Sequence, residues 1–234
     1  MVLLAAVTSC TVQAPPANAG TTMENPTPQV NAAATMEKPM KEPNNSTHLS
    51  LTGSASVKDG KLIVNYELKS NLPYSVYVFD EMIAYNEEGR PKIDRSTAYR
   101  FWEEPNTLRL VRAVLKMPRE KDVYSLEIPY ARELKPQAEL TGNIELDVPV
   151  KEKSPFYGFP KPDTSKEVEC DRIKLYIGWT EATDGIKIQE ATIGGEKVLR
   201  IRGKWQPRLV SADFNVAVKV VAHTDTFDRQ MPQQ

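Results

Sequence analysis

The stretch Lys58-Asp59-Gly60-Lys61, running into Leu62-Ile63-Val64-Asn65-Tyr66-Glu67-Leu68-Lys69, decides the fold class. Leu62, Val64, Tyr66 and Leu68 recur at every second position, with Asn65, Glu67 and Lys69 between them. Successive side chains on a strand point to opposite faces, so this period of two marks a strand with one buried face. Asp-Gly just upstream supplies the positive φ that a two-residue hairpin turn needs. The spacing predicts a hairpin that pairs residues 54–57 with 62–69.

Outward from this hairpin the same grammar repeats. Ser70-Asn71-Leu72-Pro73 breaks the run, residues 74–80 (YSVYVFD) are aromatic and β-branched, and Asn86-Glu87-Glu88-Gly89 turns the chain. Residues 97–103 (TAYRFWE) are β-prone, and Leu140, Ile144, Leu146 and Val148 alternate, with Gly142 as a site for a bulge. Ile173, Leu175, Ile177 and Trp179 alternate with Lys174, Tyr176 and Gly178. Residues 186–193 and 198–202 flank Gly194-Gly195 as a second hairpin, and Phe214, Val216, Val218 and Val220 form a last strand. Residues 108–117 (LRLVRAVLKM) fit two patterns. As a helix they place Leu108, Val111 and Val114 or Leu115 opposite Arg109, Arg112 and Lys116; their β-branched content and flanking strand signals favour a strand.

About 8–10 short strands at turn-marked spacing, with little helical periodicity, predict an all-β domain, a sandwich or barrel. The pattern resembles an immunoglobulin-like β-sandwich with long connections, and the passage from Tyr66 to Asn71 looks like the second-to-third strand passage of many bacterial sandwich modules. The Cys–Trp–Cys signature of true immunoglobulin domains is missing, so the resemblance implies architecture only.

The chain has 234 residues, 30 basic against 31 acidic, with 40 % apolar residues. These are not evenly spread. Residues 1–45 hold no Phe, Tyr or Trp, and all 18 aromatics fall between Tyr66 and Phe227. From Thr11 to Asn45 the only branched aliphatics are Val12 and Val30. Such a stretch buries too little apolar area to offset its ordering entropy. We therefore expect a disordered linker over 10–45, one folded domain over 46–227 and a disordered tail over 228–234. Beyond residue 45 the charges balance at 28 basic and 28 acidic, which excludes a concentrated basic surface for nucleic acid.

Residues 1–9 read as the end of an export signal. Met1 to Val7 is apolar but far shorter than the roughly 20 residues that span a bilayer. Val7-Thr8-Ser9-Cys10 resembles the lipobox of bacterial lipoproteins, in which a branched residue and two small ones precede the cysteine that becomes lipidated. The resemblance implies an acylated Cys10, a membrane anchor, and a place in the bacterial cell envelope facing the periplasm or the exterior. No Lys or Arg precedes the apolar run, as an export signal requires; a start assigned too far downstream, or a truncated gene, accounts for that. Two other readings stay open, a chance cysteine in a disordered terminus and a cleaved signal ending at Ala17-Asn18-Ala19. From Cys10, the 35 residues of 11–45 would span ~30 Å as a flexible coil.

Candidate chemistry is sparse. His48 and His223 stand at the two ends of the domain, where neighbouring first and last strands would bring them together, but no further ligands accompany them at metal spacing. Cys170 has no nearby base and reads as a packed thiol. The pairs Asp80-Glu81, Glu87-Glu88 and Glu103-Glu104 read as solvated carboxylates. No nucleophile elbow or phosphate loop is present, and no cofactor is implied. In Lys153–Pro162 (KSPFYGFPKP), Phe156, Tyr157 and Phe159 stand among prolines. They are either stiff anchors for a partner or rings that plug an open end of the sandwich. Tyr99-Arg100-Phe101-Trp102 alternates, and an exposed Trp102 would offer a stacking platform for sugar or peptide. These features suggest a tethered, non-catalytic binding or assembly module for a protein or glycan partner. The alternatives are a protease-inhibitor-like sandwich, or a hydrolase whose site is assembled from distant residues.

Overall fold

The Asp-Gly turn forms as read. In the computed structural model, which describes residues 48–116, 128–156 and 164–223, Asp59 and Gly60 take φ of 51° and 73°. They close a hairpin between β1 (Leu49–Lys58) and β2 (Lys61–Ser70). Strand β8 (Glu139–Asp147) pairs with the other edge of β2, giving a three-stranded antiparallel sheet in the order β1-β2-β8. Leu62, Val64, Tyr66 and Leu68 are all buried on its inner face. Full burial of an aliphatic side chain of this size contributes about 1.5–3 kcal/mol.

Gly142 is not a bulge. The β2–β8 register runs through it without a shift, with Gly142 opposite Tyr66. A Cβ there would lie 2.1 Å from the Tyr66 ring, so the missing side chain is what gives the ring its place.

The remaining strands form one ten-stranded sheet. They are β3 (Val76–Tyr85), β4 (Pro91–Asp94), β5 (Tyr99–Glu103), β6 (Thr107–Arg112), β7 (Tyr130–Leu134), β9 (Val150–Lys151), β10 (Ser165–Glu181), β11 (Ile186–Ile193), β12 (Glu196–Gly203) and β13 (Arg208–His223). The 17-residue β10 is its spine. Strand β13 runs antiparallel along one edge of β10; parallel β6, then antiparallel β3, share the other. Residues 108–112 of the ambiguous segment are therefore strand, held by the β10 ladder. The β11–β12 hairpin, turned at Gly194-Gly195 as predicted, joins β7 through the Leu199–Ala131 pair.

Side chains from both sheets form one core. Leu62, Val64 and Leu68 meet Val78, Leu108, Ile173, Leu175 and Val218 in a single buried cluster, so the fold is an all-β sandwich. Thirteen strands among the described residues exceed the 8–10 expected, because short ladders such as β4 and β9 carry too few residues to show a period.

The large sheet is covered on both faces. Away from the main core, Met82, Tyr99, Phe101 and Tyr176 form a second cluster, and Phe79, Val114, Ala131 and Ile201 a third. This double coverage buries Arg109 and Arg112, which the helical reading of 108–117 puts on a polar side, to 3 % and 1 % exposure. In β3 the register against β7 shifts between Val78 and Glu81, so Phe79 and Asp80 together lie opposite Ala131.

Candidate functional site

Trp102 is not an exposed platform. It is 6 % exposed and belongs to the inter-sheet core, while Tyr99 and Phe101 fill the second cluster. The alternation was read correctly, but both faces of this strand are covered. The Trp102 backbone N–H donates to Glu152 Oε1 at 2.6 Å, and the His223 N–H donates to Glu152 Oε2 at 2.6 Å. This buried carboxylate ties β5 to the end of β13. Phe156 is half-buried and packs against the second cluster. Tyr157, Phe159 and Cys10 lie outside the described residues.

The two histidines do not meet. His48 sits edge-on to Trp179, with centroids 6.5 Å apart, at one end of the β10–β13 ladder. His223 pairs with Ser165 at the other end, 14 residues along β10 from Trp179, or roughly 45 Å at strand rise. Among the described residues no group of three or more His, Cys, Asp or Glu is placed to hold a metal. Cys170 is buried in the main core, and burial pushes its thiol up to about 11, the opposite of an activated nucleophile.

Asp80 and Glu81 are not solvated. They are 0 % and 2 % exposed, and arginines surround them. Arg132 Nε donates to Asp80 Oδ1 at 3.0 Å, and Arg132 Nη2 pairs with Asp80 Oδ2. Arg95 donates through Nε and Nη2 to Glu81 Oε1 at 2.9 and 2.8 Å. Arg112 Nη1 donates to the Tyr66 hydroxyl at 2.7 Å, Nε to the Thr97 carbonyl at 2.8 Å and Nη2 to the Asn143 carbonyl at 2.9 Å. Burial pushes the Tyr66 phenol up to about 12, against the opposing pull of Arg112. The cluster ties the small sheet to the large one. Its carboxylates are buried although Arg95 and Arg132 reach the surface, and its bonds serve the fold.

A different arrangement occurs where the β10–β11 and β12–β13 loops meet. Thr180 and Glu181 at the end of β10, Thr183, the run Lys204-Trp205-Gln206, and Arg208 line a recess of about 380 Å³. The two loops are locked together: Lys204 N–H donates to the Gly185 carbonyl at 3.0 Å, and Ile186 N–H to the Thr183 carbonyl at 2.9 Å. Gly203 takes φ of 94°, and a Cβ on it would meet the Gly185 oxygen at 2.2 Å, so only glycine allows this closure.

Trp205 is half-buried and rests against Phe79, with centroids 5.0 Å apart and planes tilted by 38°. Glu181 Oε1 accepts from the Tyr74 hydroxyl at 3.0 Å and from Arg208 Nη1 at 3.0 Å. Among the described residues Oε2 has no partner. Burial, then the bond to Glu181, raises the Tyr74 phenol pKa. Arg208 in turn lies over the buried Trp179 ring, 5.2 Å from its centroid. The recess thus combines a supported aromatic ring with an oriented carboxylate, a guanidinium, an amide and two hydroxyls. Sequence reading missed it. The available signal was a tryptophan flanked by Gly203 and Pro207, the same signature that drew attention to residues 153–162.

Comparison of the chain with protein-family models, with curated proteins and with solved structures finds no match.

Proposed function

We propose that this chain is a tethered, non-catalytic binding module of the bacterial cell envelope. Its anchor is lipidated Cys10, and its ligand is an envelope glycan held in the Trp205 recess. The observation that carries this reading is the pairing of the Trp205 ring with a carboxylate that keeps one oxygen open. A pyranose has apolar C–H faces and a rim of hydroxyls. It is matched by an aromatic ring beside planar groups that both donate and accept hydrogen bonds. Glu181 Oε2 accepts from a sugar hydroxyl, while Arg208 and the Gln206 amide donate to others. Fixed loops suit this task, since a preorganised site loses little entropy on binding.

The experiment is retention of the purified domain on isolated cell-wall glycan, comparing the native chain with Trp205→Ala and Glu181→Ala. Retention that falls about tenfold or more in both variants, each still folded by circular dichroism, supports the reading. Equal retention of all three contradicts it. Mass spectrometry of the native protein that finds an unmodified Cys10 sinks the tether.

A further inference from the structure

A second recess lies where the β3–β4 and β11–β12 hairpins approach β7. It encloses about 580 Å³, and Ile83, Pro129, Ile193 and Ile201 give it an apolar lining. Tyr85 on the same lining is 58 % exposed, the most exposed large hydrophobic among the described residues. Among the described residues that line it the charges are of one sign: Arg200 and Arg202 are there, with no Asp or Glu.

The strand register explains why they stay unneutralised. Arg200 pairs with Gln189 and Arg202 with Lys187 on β11, so the neighbouring strand supplies no carboxylate to either and adds a further cation. Two positions apart on β12, the arginines project to the same side of the strand. Arg200 is also held in place: its Nη2 donates to the Tyr130 hydroxyl at 2.7 Å, and its guanidinium lies 5.3 Å from the Tyr130 ring centroid. By contrast, Arg95, Arg132 and Arg208 each face a carboxylate. A fixed guanidinium with no carboxylate partner among the described residues, at the mouth of an apolar recess, has the form of a receptor for an anionic group carried on a hydrocarbon.

We propose that this recess binds an amphiphile with an unbranched apolar chain and a terminal carboxylate. The chain lies on Ile83, Pro129 and Ile193, and the carboxylate is held by Arg200 and Arg202. The volume falls within the range of small-molecule sites, and each methylene removed from water adds about 0.8 kcal/mol. The carboxylate supplies the selectivity, because charge-assisted bonds to a guanidinium separate an acid from the matching alcohol by about tenfold or more.

The test is equilibrium binding of dodecanoate, dodecanol and dodecyltrimethylammonium to the full chain, all below micelle-forming concentrations. The native chain and an R200Q/R202Q variant are compared; both arginines are exposed, so the variant keeps the fold. The expected result is saturable binding of dodecanoate, about tenfold or more tighter than dodecanol, with that preference lost in the variant. Ile193→Asp, at a half-buried lining position, should remove binding of all three probes, with circular dichroism as the check that it has folded. Equal affinity for the three probes, preference for the cation, a preference that survives R200Q/R202Q, or no binding at all overturns the proposal.

Discussion

Two polar clusters in this sandwich use the same residue types to opposite ends. Around Asp80, the carboxylates and Tyr66 are buried while Arg95 and Arg132 reach the surface, and Arg112 spends its donors on three backbone carbonyls, those of Arg95, Thr97 and Asn143, and a phenol. Around Glu181, arginine, carboxylate and tyrosine again meet, but at a loop end, with a half-buried tryptophan beside them and one carboxylate oxygen unused. Burial of the carboxylates separates the two roles. A buried carboxylate left without its arginine costs several kcal/mol, so the pair fixes geometry. The same groups at an open rim remain available to a ligand. One buried atom departs from this pattern: Glu81 Oε2 has no partner among the described residues.

This contrast breaks first at Arg112. Replacing it with Met orphans the Thr97 and Asn143 carbonyls and the Tyr66 hydroxyl, and should destabilise the fold by about 3–5 kcal/mol in urea unfolding. A loss below about 1 kcal/mol would mean that this cluster is not what ties the sheets together.

Alkaline pH probes the same cluster without mutation. The Tyr66 phenol is raised to about 12 by burial, and the Cys170 thiol to about 11, each above its value in the unfolded chain. The folded state therefore holds these protons more tightly. Their stabilisation is complete below about pH 9 and is lost as pH rises toward 12. For Tyr66 the loss is on the order of 2–3 kcal/mol, and Tyr66→Phe should remove its share of the decline between pH 10 and 12.

A smaller effect is expected at Gly142. Gly142→Ala puts a methyl against the Tyr66 ring and should cost about 1–3 kcal/mol of unfolding free energy by overpacking. Smallest of all, Trp205→Ala should cost about 1 kcal/mol, the size of its pairing with Phe79, while removing glycan retention. A Trp205→Ala domain as unstable as Arg112→Met would erase the distinction between the two regions.

Local pattern revealed the backbone better than it revealed either cluster. Asp59-Gly60 and the alternation of Leu62 to Leu68 report on neighbours in sequence, and a hairpin is a neighbour effect. Asp80 and Arg132 are 52 positions apart, Tyr66 and Arg112 are 46 apart, and neither pairing leaves a local mark. The adjacent carboxylates at 80 and 81 therefore read as solvated, and Arg112, on the helical reading of its segment, as polar surface. Trp102 shows the same limit: period two assigns faces to a strand, but it does not tell that both faces of a central sheet are covered. Trp205 was legible in principle, through the glycine and proline that frame it, because loop chemistry is local.

Among the three tryptophans, Trp102 and Trp179 are 6 % and 0 % exposed, so a ligand in solution perturbs Trp205 far more than either. Emission of the native domain, titrated with soluble oligosaccharides released from envelope glycan, reads the recess directly. The account predicts a saturable shift that disappears in Trp205→Ala and weakens about tenfold or more in Glu181→Ala. A saturable shift that persists in Trp205→Ala, or a flat titration with every such oligosaccharide, would contradict it.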